Sequence, residues 1–262
     1  MEFERHCQLI VEQAELLAGH LNTKPQLGAA VPSCPGWNVG QLTRHVGGAH
    51  REATVVARTG EAPPNDQFRD PTHWYGTPAE CAAADVAGLG LWLTDGAHEL
   101  SKALLEFGPD VPIAMPIQNP TTRFTARRMC HETVMHRADA ALALAVPYVL
   151  DPELAVDGID EWMELCALPL HFEVHPWMRE LLGAGRTLTF EATDLPARWY
   201  VDLTGEAIRW HHNDEPAAVT IHGPVTELLL LLYKRRPAHG ADLEIHGDTE
   251  LLSYYLDRVS FG

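Results

Sequence analysis

The sequence predicts a helical bundle followed by a small α+β domain, and three observations carry that reading. Apolar residues recur at helical spacing from residue 2 to about residue 168. Beyond about residue 180 the pattern turns to alternating apolar and polar residues in short runs bounded by Gly, Pro or Asp. A length of 262 residues is enough for two units with separate cores. The switch of period places the boundary near Leu182 to Arg186, giving domains of 1–180 and 181–262.

The first helix is expected over 2–22, with Cys7, Ile10, Ala14, Leu17 and Leu21 on one face, and Lys24-Pro25 ends it. Residues 26–37 read as an extended linker closed by a Cys34-Pro35-Gly36 turn in which Gly36 supplies a positive φ. Asn38 is a suitable N-cap for a second helix reaching Arg58. After a Pro- and Asp-rich loop over 60–76, Thr77-Pro78-Ala79-Glu80 is a capping box with proline at the first helical position. It opens a third helix drawn through to Phe107, with Gly88, Gly90 and Gly96 as weak points. A fourth helix spans 123–145 before Pro147, and Asp151-Pro152-Glu153 starts a fifth that reaches Leu168. Strands are expected over 187–193, 198–204, 207–211, 217–222 and 242–246, with one helix opening at Gly223-Pro224 and a last one over 248–259.

Composition narrows the function classes. A net charge of −17 leaves no concentrated basic face for phosphate contacts, so nucleic acid is not expected as a partner. No apolar run is long enough to span a bilayer, and Met1-Glu2-Phe3-Glu4-Arg5 lacks the layout of a signal peptide, so a cytoplasmic location without membrane attachment is the expectation. Five cysteines, widely spaced and without a Cys-x-x-Cys pair, argue against both a disulfide framework and a thiolate zinc knuckle.

The chemistry concentrates in two stretches, the segment Cys34 to His45 and the run His131-Glu132-Thr133-Val134-Met135-His136-Arg137-Ala138-Asp139. Glu132 and His136 are four residues apart and share a helix face, where a carboxylate and an imidazole can hold one divalent cation. His45, from another helix, can supply a third ligand and leave a coordination position open for catalysis. The same spacing also describes an ordinary exposed Glu/His pair, worth a few tenths of a kcal/mol. His131 and His136 diverge by about 140° around the helix, which rules out a zincin arrangement. His50 points away from His45, and Cys130 lies off the His136 face. Cys34 is either a thiol activated by the helix that follows it or a turn residue packed under Trp37. Arg137 and Asp139 are candidates to orient the ligands from behind.

The segment Val31-Pro32-Ser33-Cys34-Pro35-Gly36-Trp37-Asn38-Val39-Gly40-Gln41-Leu42-Thr43-Arg44-His45, the 131–139 run, Gly223-Pro224-Val225-Thr226-Glu227 through Arg235-Arg236-Pro237, and Gly247-Asp248-Thr249-Glu250-Leu251-Leu252 together resemble the mycothiol-dependent maleylpyruvate isomerase family, within the DinB-like group of metal-binding helical bundles. The resemblance implies a DinB-like four-helix bundle with an extra helix, followed by a sterol-carrier-like α+β domain. It places metal ligands on His45, Glu132 and His136, with zinc expected and mycothiol as thiol cofactor or cosubstrate. It gives Arg235, with Arg236 as the alternative, the role of binding an anionic substrate. The implied activity is an isomerase or S-transferase acting on a small electrophile, in a monomer or homodimer. A non-catalytic metal- or ligand-binding protein is the other reading of the same signature.

Overall fold

A computed structural model describes residues 1–61, 76–115, 117–239 and 242–259. The chain divides into two compact units, Met1–Val149 and Leu150–Gly262. Among the described residues no helix is long and apolar enough to cross a membrane.

The first unit is helical: α1 (Phe3–Thr23), α2 (Val39–Thr59), α3 (Pro78–Ala82), α4 (Val86–Phe107) and α5 (Thr122–Leu144). The long helices α1 and α2 each pack on both α4 and α5. Between them Ile10 and Leu17 of α1, Leu42 and Val46 of α2, Leu93 and Leu100 of α4, and Cys130 and Val134 of α5 are fully buried. Asn38 caps α2 through a reciprocal capping box with Gln41. The segment before it is more than an extended linker. It folds back on itself, with Val31 N–H donating to the Trp37 carbonyl at 3.0 Å and Val39 N–H to the Ala29 carbonyl at 3.0 Å, around a turn in which Gly36 has φ 86°. That return loop holds Ser33 and Cys34 against α5.

The single helix expected over 77–107 is two. The capping box at Thr77 opens α3 as anticipated, but α3 ends at Ala82, and the Asp85 carboxylate accepts from Gly88 N–H at 2.6 Å to start α4 afresh. Asp is among the strongest N-caps, and it decides the break. Gly96 and Gly47 permit the close approach of α4 to α2. A Cβ on Gly47 would fall 2.2 Å from the Trp92 ring, and Arg51 lies over that ring at 4.0 Å while donating to the Gly47 and Trp92 carbonyls.

The second unit begins with α6 (Pro152–Cys166), a short α7 (Pro169–Val174) and a 3₁₀ turn (Pro176–Leu181). Then follow β1 (Thr187–Ala192), β2 (Arg198–Asp202), β3 (Arg209–His211), β4 (Val219–Gly223), α8 (Val225–Leu232), β5 (Glu244–Gly247) and α9 (Thr249–Arg258). The sheet order is β3-β2-β1-β4-β5, with β1 and β4 parallel and the other pairs antiparallel. Its core is built on Phe190, Trp199, Ile221 and Tyr255. The division at Val149 falls well before the 180/181 boundary that the change of period suggests. Helix α6 packs on α8, with the Trp162 and Tyr233 rings 4.5 Å apart, so its apolar stripe belongs to the second core. Helical periodicity reports that a stripe is buried, not which core buries it.

Two predictions follow from this packing. A Cβ on Gly40 would meet the Cys81 carbonyl oxygen at 2.4 Å, a backbone atom that cannot swing aside. Gly40→Ala is therefore expected to cost about 1–3 kcal/mol in urea unfolding. Gly19→Ala, exposed on α1 with nothing within 4 Å of the new methyl, should instead be neutral or stabilise by up to about 1 kcal/mol.

The second concerns His50, fully enclosed between α2 and α5. Its Nε2 lies 2.8 Å from Thr133 Oγ1, and that hydroxyl already donates to the Met129 carbonyl, so His50 Nε2 carries the hydrogen. Burial first, and the Arg51 charge second, push the imidazole down from 6.5 to about 3. Below about pH 6.5 the unfolded chain binds a proton here that the native chain refuses, so stability falls as pH falls through that window. Between pH 7 and pH 5 the loss is about 2 kcal/mol. Denaturant titrations at the two values should show a pH-dependent loss that is larger in the wild type than in His50→Gln by this increment.

Candidate metal centre

His45, Glu132 and His136 meet at one point, although His45 is distant in sequence. The second turn of α2 presents His45, and consecutive turns of α5 present Glu132 and His136. Glu132 Oε1 lies 3.1 Å from His45 Nε2 and 3.0 Å from His136 Nε2, and the two imidazole centroids are 4.8 Å apart, nearly perpendicular. The Trp37 ring packs edge-on to His45 at 5.0 Å. The three side chains keep 24%, 27% and 12% of their surface exposed, so the cluster opens to solvent on one side.

Each member is oriented from behind. The second carboxylate oxygen of Glu132 accepts from Arg128 Nη2 at 3.1 Å, which leaves Oε1 alone facing the imidazoles. His136 Nδ1 lies 2.9 Å from Asp139 Oδ2. Asp139 is wholly buried, and an ionised carboxylate only accepts, so His136 carries its hydrogen on Nδ1 and turns Nε2 toward Glu132. Ser33 Oγ donates to Asp139 Oδ1 at 2.5 Å and the Cys34 thiol to Oδ2 at 3.6 Å.

The donor set suits a divalent cation of zinc type. Ligand bonds of about 2.0–2.2 Å in a tetrahedron imply donor separations of roughly 3.4 Å. The three donor atoms lie within 4.8 Å of one another, with two separations of 3.0 and 3.1 Å. An imidazole locked by a carboxylate on its far nitrogen is the usual partner of such an ion. The electrostatics agree. Burial pushes the Glu132 carboxyl up, but the His136 charge, hydrogen bonds from both imidazoles and Arg128 hold it well below the ordinary range. Burial pushes His136 down, yet Glu132 and Asp139 raise it well above 6.5. A proton thus stands where a cation would.

The other residues singled out in the sequence lie elsewhere. Arg137 does not orient the cluster; its Nη2 donates to the Val149 carbonyl at 2.8 Å and its guanidinium covers the Tyr148 ring at 4.2 Å. Cys130 is buried in the bundle core. His50 faces Thr133. Arg235, in the second unit, donates from Nη1 to the Tyr233 carbonyl at 2.7 Å just past α8, and Arg236 pairs with Glu227 at 3.5 Å. Of the orienting partners, the sequence named Asp139, which does hold His136, but not the roles of Arg128, Ser33 and Cys34. Arg128 was detectable, being four residues before Glu132. Ser33 and the Cys34 contact to Asp139 were not, because they depend on the return of the 26–37 loop.

Glu132→Ala and His136→Ala are each expected to abolish stoichiometric binding of a divalent metal, read by elemental analysis, while far-ultraviolet circular dichroism keeps the helical signal. Asp139→Asn should retain the metal but weaken it about 10- to 100-fold, since the amide can present its N–H₂ to His136 and disturb the tautomer.

Comparison with known proteins agrees with this architecture. Residues 8–141 match the family model described as the mycothiol maleylpyruvate isomerase N-terminal domain, and residues 153–253 match that of the MDMPI C-terminal domain. The gap between the two matches straddles the division at Val149. A crystal structure of the mycothiol-dependent maleylpyruvate isomerase is similar over 94% of this chain and 93% of its own, with a TM-score of 0.61 at 14% identity. A structure of a histidine-to-alanine variant of that enzyme matches over 88% of each chain, with a TM-score of 0.57 at 14% identity. A search of curated proteins found no sequence match. The structural likeness establishes a shared fold, and the two matched domain models, in order over most of the length, show that the chain belongs to the mycothiol-dependent maleylpyruvate isomerase family.

Proposed function

We propose that this protein is a metal-dependent isomerase that uses a low-molecular-weight thiol, mycothiol, on a small electrophilic substrate, with zinc at His45, Glu132 and His136. The observation that carries the reading is the convergence of three correctly oriented donors on a cluster open to solvent on one side. A divalent ion held there supplies Lewis acidity, which brings the pKa of a thiol ligand into the physiological range.

The protein's own groups do the rest. Arg128 keeps Glu132 to a single ligating oxygen, and Asp139 keeps the His136 Nε2 lone pair aimed at the ion. A thiolate that adds to a double bond conjugated with a carbonyl frees that bond to rotate, and expulsion of the thiolate returns the rotated isomer. Retention of the thioether instead makes the protein an S-transferase. Arg235 is assigned the substrate carboxylate, for which a planar guanidinium offers two parallel donors.

The test is turnover of cis-enone acids by zinc-loaded protein with and without mycothiol, alongside a titration of free thiol. An isomerase needs the thiol and consumes none, whereas an S-transferase consumes one per turnover. Arg235→Lys is expected to lower kcat/KM by tenfold or more with zinc content unchanged, about the 1.4 kcal/mol of one lost hydrogen bond to a charged group. Full activity in Arg235→Lys would reduce that residue to a helix cap. Zinc binding without thiol-dependent turnover of any electrophile would leave a non-catalytic metal-binding protein.

A further inference from the structure

The groove between α2 and α5 does not end at the metal cluster. Ala53 and Val56 on α2, Phe124 and Met129 on α5, and Met115 in the preceding loop line an open pocket of about 220 Å³. Among the described residues its polar lining is Glu52, Arg128 and Thr125. Arg128 joins it directly to the centre, since this residue both lines the cavity and bonds to Glu132. Helical spacing gives the same continuity. Arg128 is one turn from Glu132 on α5, and Glu52 and Ala53 are two turns from His45 on α2, so the cavity is a prolongation of the face that carries the ligands.

We infer that this slot receives an uncharged alkyl or aromatic arm of the substrate whose reactive end lies at the metal cluster. The inference rests on the metal reading above and adds the substrate class to it. Apolar cavities of about 150 Å³ admit benzene, so a phenyl group or a chain of four to six carbons fits this one. The two methionines give a lining that adapts to arms of different shape. The slot's two charged groups, Arg128 and the half-buried Glu52, are opposite in sign, and Arg128 Nη2 already bonds to Glu132, so the rest of the wall offers an arm apolar contact. A neutral arm loses nothing there and gains by leaving water. The substrate expected is therefore an electrophile that carries an apolar tail.

The test uses hydroxamates, whose head binds zinc, with the zinc-loaded full chain and isothermal titration. The slot starts about one helical turn, 5.4 Å, from the cluster, so short tails should give no gain and longer ones a rising gain. Octanohydroxamate and benzohydroxamate are expected to bind at least about tenfold tighter than acetohydroxamate. Ala53→Phe, or Val56→Trp should the first variant fold poorly, should erase that gain while leaving acetohydroxamate affinity and zinc content unchanged. Suberic acid monohydroxamate, whose terminal carboxylate would have to leave water, should bind more weakly than octanohydroxamate. A series flat in tail length with acetohydroxamate still bound, or a gain that survives both filling variants, would overturn the slot alone. A zinc-free protein that binds no hydroxamate would overturn the metal reading and this inference with it.

Discussion

A single buried carboxylate organises the centre. Asp139 has no exposed surface, and a charge in that position is tolerable only if hydrogen bonds replace the water it has lost. It accepts from His136, Ser33 and Cys34, and these come from two places: its own helix and the loop that returns before α2. The same bonds therefore close the loop onto α5 and fix which nitrogen His136 offers. Since the loop leads into the Asn38 cap, it also sets where α2 begins, and so where His45 stands. The chain brings His45, Glu132 and His136 together by satisfying one anion.

Much of this was legible in the residues, and the parts that were not share a cause. The fold class, the caps at Asn38 and Thr77 and the αL turn at Gly36 are local features, written within four residues of where they act. The face shared by Glu132 and His136 is equally local, because helix geometry alone sets it. The break at Asp85 is also local, an N-cap eight residues after the one at Thr77, but the apolar spacing runs on across it. The division at Val149, the hydrogen bond of Asp139 to Ser33 and the diversion of Arg137 to Val149 depend on which distant segments meet. Periodicity has no access to that.

Helix α5 shows why its functional face was hard to see as a pattern. It is packed against both α1 and α2, and most of its length is buried, including His131, Thr133, Arg137 and Asp139. An amphipathic helix on a surface shows one apolar stripe; α5 instead carries a polar stripe of Arg128, Glu132 and His136 through a buried setting. Each polar side chain on that stripe has a partner on it, so the burial costs little. The apolar residues Phe124 and Met129 follow on the same helix, where the groove changes from charged to apolar within one or two turns.

These contacts also bear on whether the ion would be structural or functional. In a zinc finger, loss of metal leaves thiolates and imidazoles with no other partner and too little core to hold them, so folding fails. Here each side chain also has protein partners: Glu132 takes hydrogen bonds from both imidazoles and Arg128, and a proton on His136 satisfies Glu132 and Asp139 at once. The bundle core is built on fully buried apolar residues, Ile10, Leu42, Leu93 and Val134 among them. A cation held there would take the place of that proton, and the apolar packing of the helices would not depend on it, which is the balance of an exchangeable metal and not of one that holds a fold together.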